Sequence, residues 1–284
     1  MNAITNPNRI PHAAVGADHY SGSVKLVGAG PGAGDLLTLR ALKAIEAADV
    51  IYYDSLVGPD VLTYIKPDAT QIFVGKRKGY SALPQKVIQD RMVRDAKSGK
   101  RVVRLKGGDP FTFGRGGEEL FDLRSQGISV DVIPGVTAAL AAATEHGIPL
   151  THRDIATSVT FATGHTLEGG LPDLANLVSA KRTLVVYMGI SNAEDIVSQL
   201  LNEGVPASTP VAVVERASLP GQRHIRSSLD SLVSDLQAND IGSPALLIIG
   251  AVAALNESVI DPSSSNQTQV GPADSFAWVH HPMG

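Results

Sequence analysis

Apolar positions along the chain fall into short continuous runs separated by amphipathic stretches and glycine-rich breaks. Runs at 24–27, 50–53, 71–74, 102–105 and 130–133 are short and mainly apolar and read as strands, and Val102, Val103 and Leu105 suit a buried parallel strand. Between them, 36–48 carries Leu37, Ala41, Leu42 and Ile45 at helical spacing. Helical segments are also predicted at 84–98, with Pro84 in its first turn, and at 118–126. A second series follows. It has an Ala-rich helix at 136–146, strands at 158–163, 183–188, 211–215 and 245–249, and helices at 196–202 and 229–239. Strands alternating with helices predict parallel sheets covered on both faces. The two series predict two αβα domains with mainly parallel sheets and a cleft between them formed by strand ends. The expected division is a disordered arm at 1–22, an N-terminal α/β domain at 23–134, a C-terminal α/β domain at 135–260 and a flexible Ser/Pro/Gly-rich tail at 261–284. No short repeat of fixed period is present.

The breaks carry the candidate chemistry. The 102–105 run stops at Gly107-Gly108-Asp109-Pro110, and a second turn, Gly114-Arg115-Gly116-Gly117, leads into Glu118-Glu119-Leu120. Two glycine turns around one acidic and one basic residue, at a strand's C-terminal end, mark a ligand-binding edge of an α/β sheet. After the first run comes Gly28-Ala29-Gly30-Pro31-Gly32-Ala33, with Asp54 ending the second. Gly28, Gly30 and Ala33 meet the loose form of a dinucleotide fingerprint. Pro31, however, offers no N–H to a pyrophosphate, and Asp35 suits a helix cap better than a phosphate's neighbour. An NAD site, a plain tight turn and the wall of a small-ligand site all remain open on these residues.

Composition narrows the field. At 43% hydrophobic and 18% charged, the chain has ample core material for a globular protein. No apolar run approaches the ~18 residues of a membrane span. The N-terminal stretch is polar and Pro-bearing, without the apolar region of a signal peptide. With no cysteine there are no disulfides, thiolate nucleophiles or Cys-ligated zinc. These features predict a soluble cytoplasmic protein. A net charge of −4 and few aromatics argue against nucleic acid as a partner. His146, His152 and His165 have no metal-ligand spacing and read as structural or substrate-facing.

Taken in order, VGAGPGAGDLLTLRA, YYDSLV, VGKRKGY, RVVRLKGGDPFTFGRGGEEL, VIPGVTAA, GIPLTHRD, VTFATGH and YMG resemble the uroporphyrinogen-III C-methyltransferases, of the class III tetrapyrrole methyltransferases. The likeness spans about 23–250. It implies two αβα domains with S-adenosylmethionine in the interdomain cleft, the first glycine loop lining that cleft instead of binding a dinucleotide. It implies two methyl transfers, to C2 and C7 of uroporphyrinogen III, giving precorrin-2 for sirohaem, cobalamin or haem d1, with S-adenosylhomocysteine released. It also implies a homodimer and no metal. The short segment before the first strand leads to the expectation of a stand-alone methyltransferase.

The resemblance assigns roles by position. Asp54 matches the proton acceptor and Lys76 the donor; read alone, Asp54 could cap its turn and Lys76 bind a carboxylate. A substrate with eight carboxylates calls for local positive charge. Arg115 is the best candidate for gripping one bidentately, both as a catalytic and a substrate-binding residue. Arg153 is the second. Lys76-Arg77-Lys78, Arg104 and Lys106 read mostly as solvated surface. Glu118 either positions Arg115 or favours the helix start. For S-adenosylmethionine the likeness implies Pro31, Gly107, Gly108, Asp109, Thr112, Thr137, Ala138, Met188, Ala217 and Ala245, with Asp109 accepting from the ligand's amine. Three positions depart from the family's usual residues: Thr112 for Ile or Val, Ser55 for Arg, and Ala217 for Gly.

Overall fold

The computed structural model describes residues 22–75, 84–166 and 169–255. The first sheet is built from β1 (Ser23–Gly28), β2 (Val50–Tyr53), β3 (Thr70–Phe73), β4 (Arg101–Lys106) and β5 (Val130–Ile133), in the order β3-β2-β4-β1-β5. Every pairing in it is parallel. Val24, Leu26, Tyr52 and Val102 face α3 (Gln85–Lys97) and α4 (Gly116–Ser125), meeting Met92 and Leu123. Val27, Ile51, Val103 and Leu105 face the opposite way, onto Ala41 and Ile45 of α1 (Leu39–Ala47) and Val61 of α2 (Pro59–Leu62). Neighbouring strands β1 and β4 thus send their connections to opposite faces. That leaves a crevice beyond their C-terminal ends, where both glycine loops sit.

The second sheet contains β6 (Ser158–Thr163), β7 (Arg182–Tyr187), β8 (Pro210–Glu215), β9 (Arg223–Ser228) and β10 (Ala245–Ile249), ordered β6-β7-β10-β8-β9. α6 (Ala193–Asn202) and α7 (Leu232–Ala238) cover one face through Ile196, Leu200, Leu232 and Leu236. α5 (Ala138–Glu145) covers the other, packing Ala139 and Ala142 on Val185, Ala212 and Ile248. The two α/β domains are as the pattern predicts, each sheet covered on both faces. This sheet is mixed, however. β6 and β7 are parallel, while β10 runs antiparallel to β7 and β8, and β9 antiparallel to β8. The connection from β8 to β9 is too short for the crossover a parallel pair needs.

Local departures have local causes. The 36–48 segment becomes helical only at Leu39, because Thr38 is the cap and its hydroxyl accepts the Ala41 N–H at 3.1 Å. Asp35 lies upstream in a one-turn 3-10 segment and caps nothing there. Pro84 stands at the N-cap of α3, one place before its predicted position. α7 starts at Leu232, later than the predicted 229.

Candidate active site at the facing strand ends

The glycine loops after β1 and β4 are locked together. Gly30 and Gly108 bond each other's backbone, with Gly108 N–H on Gly30 O at 2.7 Å and Gly30 N–H on Gly108 O at 3.2 Å. Both have positive φ, +72° and +69°. The segment after β5 closes in as well: a Cβ on Gly135 would stand 2.2 Å from Gly108 O and 2.8 Å from Gly28 Cα. Asp109 binds this junction together. Its Oδ2 accepts from Gly135 N–H at 3.1 Å, and its Oδ1 from Phe111 N–H at 2.9 Å. The carboxylate expected to take a ligand's amine therefore already serves the loop. Around Gly108 there is room: an added Cβ would meet only Thr137 and Ala138 backbone, at 3.9–4.0 Å. The expected donor-binding residues Pro31, Gly107, Gly108, Asp109, Thr112, Thr137 and Ala138 thus gather at one edge of the first sheet and the start of α5.

The second domain presents its own edge there. Met188 follows β7 and Ala217 follows β8, while Ala245 opens β10. The antiparallel course of β10 is what brings its beginning to the end where β7 and β8 finish: Leu246 pairs Tyr187 and Ala245 pairs Glu215. Met188 is 51% exposed at φ 55°, so it is not a core methionine. Tyr187 joins the two sides. Its hydroxyl is 2.7 Å from Thr137 Oγ1 and accepts the Ala139 N–H at 3.1 Å, and its ring lies 4.8 Å from that of Phe113. Burial raises the Tyr187 hydroxyl's pKa. Ala33 N–H donates to Ser218 Oγ at 3.2 Å, and Leu219 packs over Gly32. Among described non-glycine residues, Phe113, Arg115, Met188, Arg216 and Ser218 adopt positive φ in these loops. Such strain gathers where surrounding structure dictates the backbone. Nothing in the sequence pattern announces it.

Beside the glycine junction, on the α4 side of the sheet, lies a charged cluster. Asp54 follows β2, next in line with Lys106, since Tyr53 pairs Leu105. Asp54 Oδ1 accepts the Leu56 N–H at 3.1 Å, closing the turn, and Oδ2 accepts from Arg104 Nη2 at 3.2 Å. Arg104 Nε reaches Glu119 Oε1 at 3.3 Å, and Gln85 Nε2 donates to the same oxygen at 2.6 Å. Lys106 Nζ forms an ion pair with Glu119 Oε2 at 3.0 Å. Glu119 is wholly buried, Arg104 and Lys106 side chains are 6% exposed, and Asp54 is 23% exposed. Arg104 and Lys106 are therefore not the solvated surface their charge suggested, and this cluster was missed. The signal was RLK: two cations at i and i+2 of a buried strand share one face. Burial, aided by the Arg104 charge, pushes the Lys106 ammonium below the ordinary lysine range, against the pull of Glu119.

Arg115 stands at the start of α4 at φ 57°, and both it and Glu118 are more than half exposed. Its Nε is 3.1 Å from each Glu118 oxygen. The guanidinium holds the Glu118 carboxyl below the usual range, and Glu118 in turn raises Arg115. Glu118 thus pairs with Arg115 and also stands in the first turn of α4, so both of its expected roles fit. Arg153 lies exposed on the turn before β6. Lys76, with Arg77 and Lys78, lies outside the described residues. His152 and His165 are exposed, and the His146 and His224 rings lie 4.1 Å apart. Among the described residues no three His, Cys, Asp or Glu side chains converge as metal ligands. A depression of about 460 Å³ over α6 and α7, lined by Ile190, Asp195 and Gln237 among others, includes none of the expected site residues.

A family model described as tetrapyrrole (corrin/porphyrin) methylases matches residues 23–233. The chain is 50% identical over 236 residues to a siroheme synthase of Yersinia pestis, covering 83% of this chain and 50% of the relative. A siroheme synthase of Escherichia coli is also 50% identical, over 84% of this chain and 52% of its own length. The chain thus spans about half the length of these relatives. Among solved structures, a uroporphyrin-III C-methyl transferase from Thermus thermophilus complexed with S-adenyl homocysteine superposes with TM-score 0.71 at 40% identity. The match covers 82% of this chain and 93% of that one. A cobalt precorrin-4 methyltransferase superposes with TM-score 0.75 at 27% identity, covering 85% and 100%.

Proposed function

The chain belongs to the tetrapyrrole (corrin/porphyrin) methylases, and from that membership we propose that it methylates uroporphyrinogen III at C2 and C7, using S-adenosylmethionine, to give precorrin-2. The observation that carries this reading is the 40% identity across 93% of a uroporphyrin-III C-methyl transferase. The cobalt precorrin-4 methyltransferase matches at only 27%, which ranks another precorrin second as substrate. Siroheme is the end product that the names of the half-matched relatives favour.

S-adenosylmethionine, when bound, supplies an electrophilic methyl group. The residues present fit it: an open glycine at Gly108, the α5 start at Thr137 and Ala138, and the exposed thioether of Met188 on the facing edge. We assign donor binding to Pro31, Gly107, Gly108, Asp109, Thr112, Thr137, Ala138, Met188, Ala217 and Ala245. In this reading Asp109 acts by shaping the loop. The chain's task is to align the pyrrole carbon with the methyl, and alignment alone is worth roughly 7–11 kcal/mol. Methylation disturbs the pyrrole's conjugation, so a proton must leave. Asp54 is the carboxylate at the strand ends suited to accept it, and Lys76 keeps the donor role that the resemblance gives it, returning to the ring any proton lost beyond that one. Arg115, held by Glu118, meets a substrate carboxylate, and Arg153 meets another from the rim. We further place the protein in the cytoplasm as a homodimer, which light scattering at micromolar concentration tests.

The deciding experiment is anaerobic incubation with uroporphyrinogen III and S-adenosylmethionine, followed by mass spectrometry of the tetrapyrrole. A gain of two methyl groups is expected. No gain, with S-adenosylhomocysteine still bound, would move the substrate to another precorrin.

A further inference from the structure

The charged cluster behind Asp54 carries an inference beyond the roles assigned above. We propose that Arg104 is the positioning residue for Asp54, with its guanidinium fixed from behind by Glu119 and Lys106. The geometry is that of a clamp. Both Asp54 oxygens are engaged, Oδ1 by the Leu56 N–H and Oδ2 by Arg104 Nη2. The guanidinium cannot swing away: Nη1 donates to Leu105 O at 2.9 Å and Nε to Glu119 Oε1 at 3.3 Å. Glu119 is itself pinned by Gln85 and Lys106. Asp54 therefore reaches the solvent-facing end of a chain of opposite charges running Lys106, Glu119, Arg104, Asp54.

Energetics favour this role over plain stabilisation. Desolvating several charges costs about as much as their pairing returns, and apolar replacements are often neutral or better. A cluster of this kind at the end of a buried strand therefore contributes orientation more than folding energy. It also requires arginine. A planar fork donates to Glu119, Leu105 O and Asp54 from three separate nitrogens, a span that the three donors on an ammonium's single nitrogen do not have. That Asp54 handles a proton rests on the function proposed above. That Arg104 places Asp54 does not.

The test is Arg104→Lys, which keeps the buried charge and loses the fork, with Glu119→Gln as the second variant should the first fail to fold. Single-turnover methylation of uroporphyrinogen III should fall roughly 10- to 100-fold, the scale of a 1 Å misplacement. S-adenosylhomocysteine affinity should stay within about twofold of wild type. In an Asp54→Asn background, Arg104→Lys should cost no more than about twofold further, because its target is already gone. A crystal structure of Arg104→Lys should show the Asp54 carboxylate turned away from its wild-type place. Independent, multiplying losses in the double variant would overturn the proposal, as would an unmoved Asp54 in that crystal structure. If the wild-type protein itself does not methylate uroporphyrinogen III, the functional reading fails, and the position of Asp54 in the variant crystal still decides this one.

Discussion

At the scale of single residues, the site rests on places where no side chain fits and on places where only one will do. Gly135 is of the first kind, with an added Cβ 2.2 Å from Gly108 O. Gly135→Ala should cost about 1–3 kcal/mol, as overpacking does. The urea midpoint should fall, and S-adenosylhomocysteine should bind more weakly because the 107–109 turn must shift. Gly117→Ala is the control: nothing lies within 4 Å of its Cβ, and α4 should be unharmed or slightly steadier. An equal loss in both variants would show that the interlock of the three loops does not matter. Arg115 is of the second kind. Its guanidinium engages both Glu118 oxygens, and a lysine would keep the charge without the fork. Arg115→Lys should raise the dissociation constant for uroporphyrinogen III about tenfold or more, at 1.4 kcal/mol per decade, and leave S-adenosylhomocysteine binding within about twofold. Equal weakening of both ligands would remove the carboxylate clamp from the mechanism.

At the scale of elements, the β8–β9 hairpin of the second domain carries a polar pair that responds to pH. The β8–β9 hairpin is pinned by Glu215, whose Oε2 accepts from Arg223 Nε at 2.6 Å and whose Oε1 accepts the Gly242 N–H at 2.9 Å. Arg223 draws the Glu215 carboxyl below its ordinary range. A depressed carboxyl contributes stability that is full above the unfolded value of about 4.3 and is lost as pH falls through the folded one. Wild-type protein should therefore lose more stability than Glu215→Gln between pH 6 and pH 3 in urea titrations; parallel curves would show the pair to be inert. The same region shows where sequence patterning stops. Short, mainly apolar runs ended by glycine, proline or aspartate marked β1 to β5; β2 and β4 are largely buried, whereas β3 is half exposed and β5 turns Asp131 to solvent. β9 reads RHIRSS, with only Ile225 apolar. It exists because β8 offers it a ladder. α2 is four residues long, too short for periodicity to register. Antiparallel insertion of β10 depends on which neighbours are free, a tertiary fact. So the approximate neighbourhood of Ala245 came from likeness to a family, while the reason it joins Met188 and Ala217 came only with topology. Arg104, Lys106 and Glu119 were equally hidden, because charge alone says surface and only strand parity with Tyr52 and Asp54 says buried.

At the scale of the whole molecule, the two domains meet through the segments proposed to hold the donor. Ala33 bonds Ser218, Leu219 covers Gly32, and the Tyr187 ring meets Phe113. A ligand seated there touches strand ends of both sheets, so its binding energy must be shared between domains that each have a separate core. At one hundred times its dissociation constant such a ligand stabilises the folded state by about 2.7 kcal/mol. If the site is divided as proposed, S-adenosylhomocysteine should slow amide exchange in β1 and β4 of the first sheet and in β7 and β10 of the second by similar factors, roughly a hundredfold where exchange needs global unfolding. Tyr187→Phe loosens the tie between β7 and α5 inside the second domain and keeps the ring that meets Phe113. It removes the hydroxyl that accepts the Ala139 N–H, at a cost of about 1 kcal/mol. Ligand protection should then become unequal, stronger on the first sheet, whose loops still form the glycine junction. Protection confined to one domain in the wild-type protein would mean that the donor is held by that domain alone, and that the facing edge of Met188, Ala217 and Ala245 serves the tetrapyrrole instead.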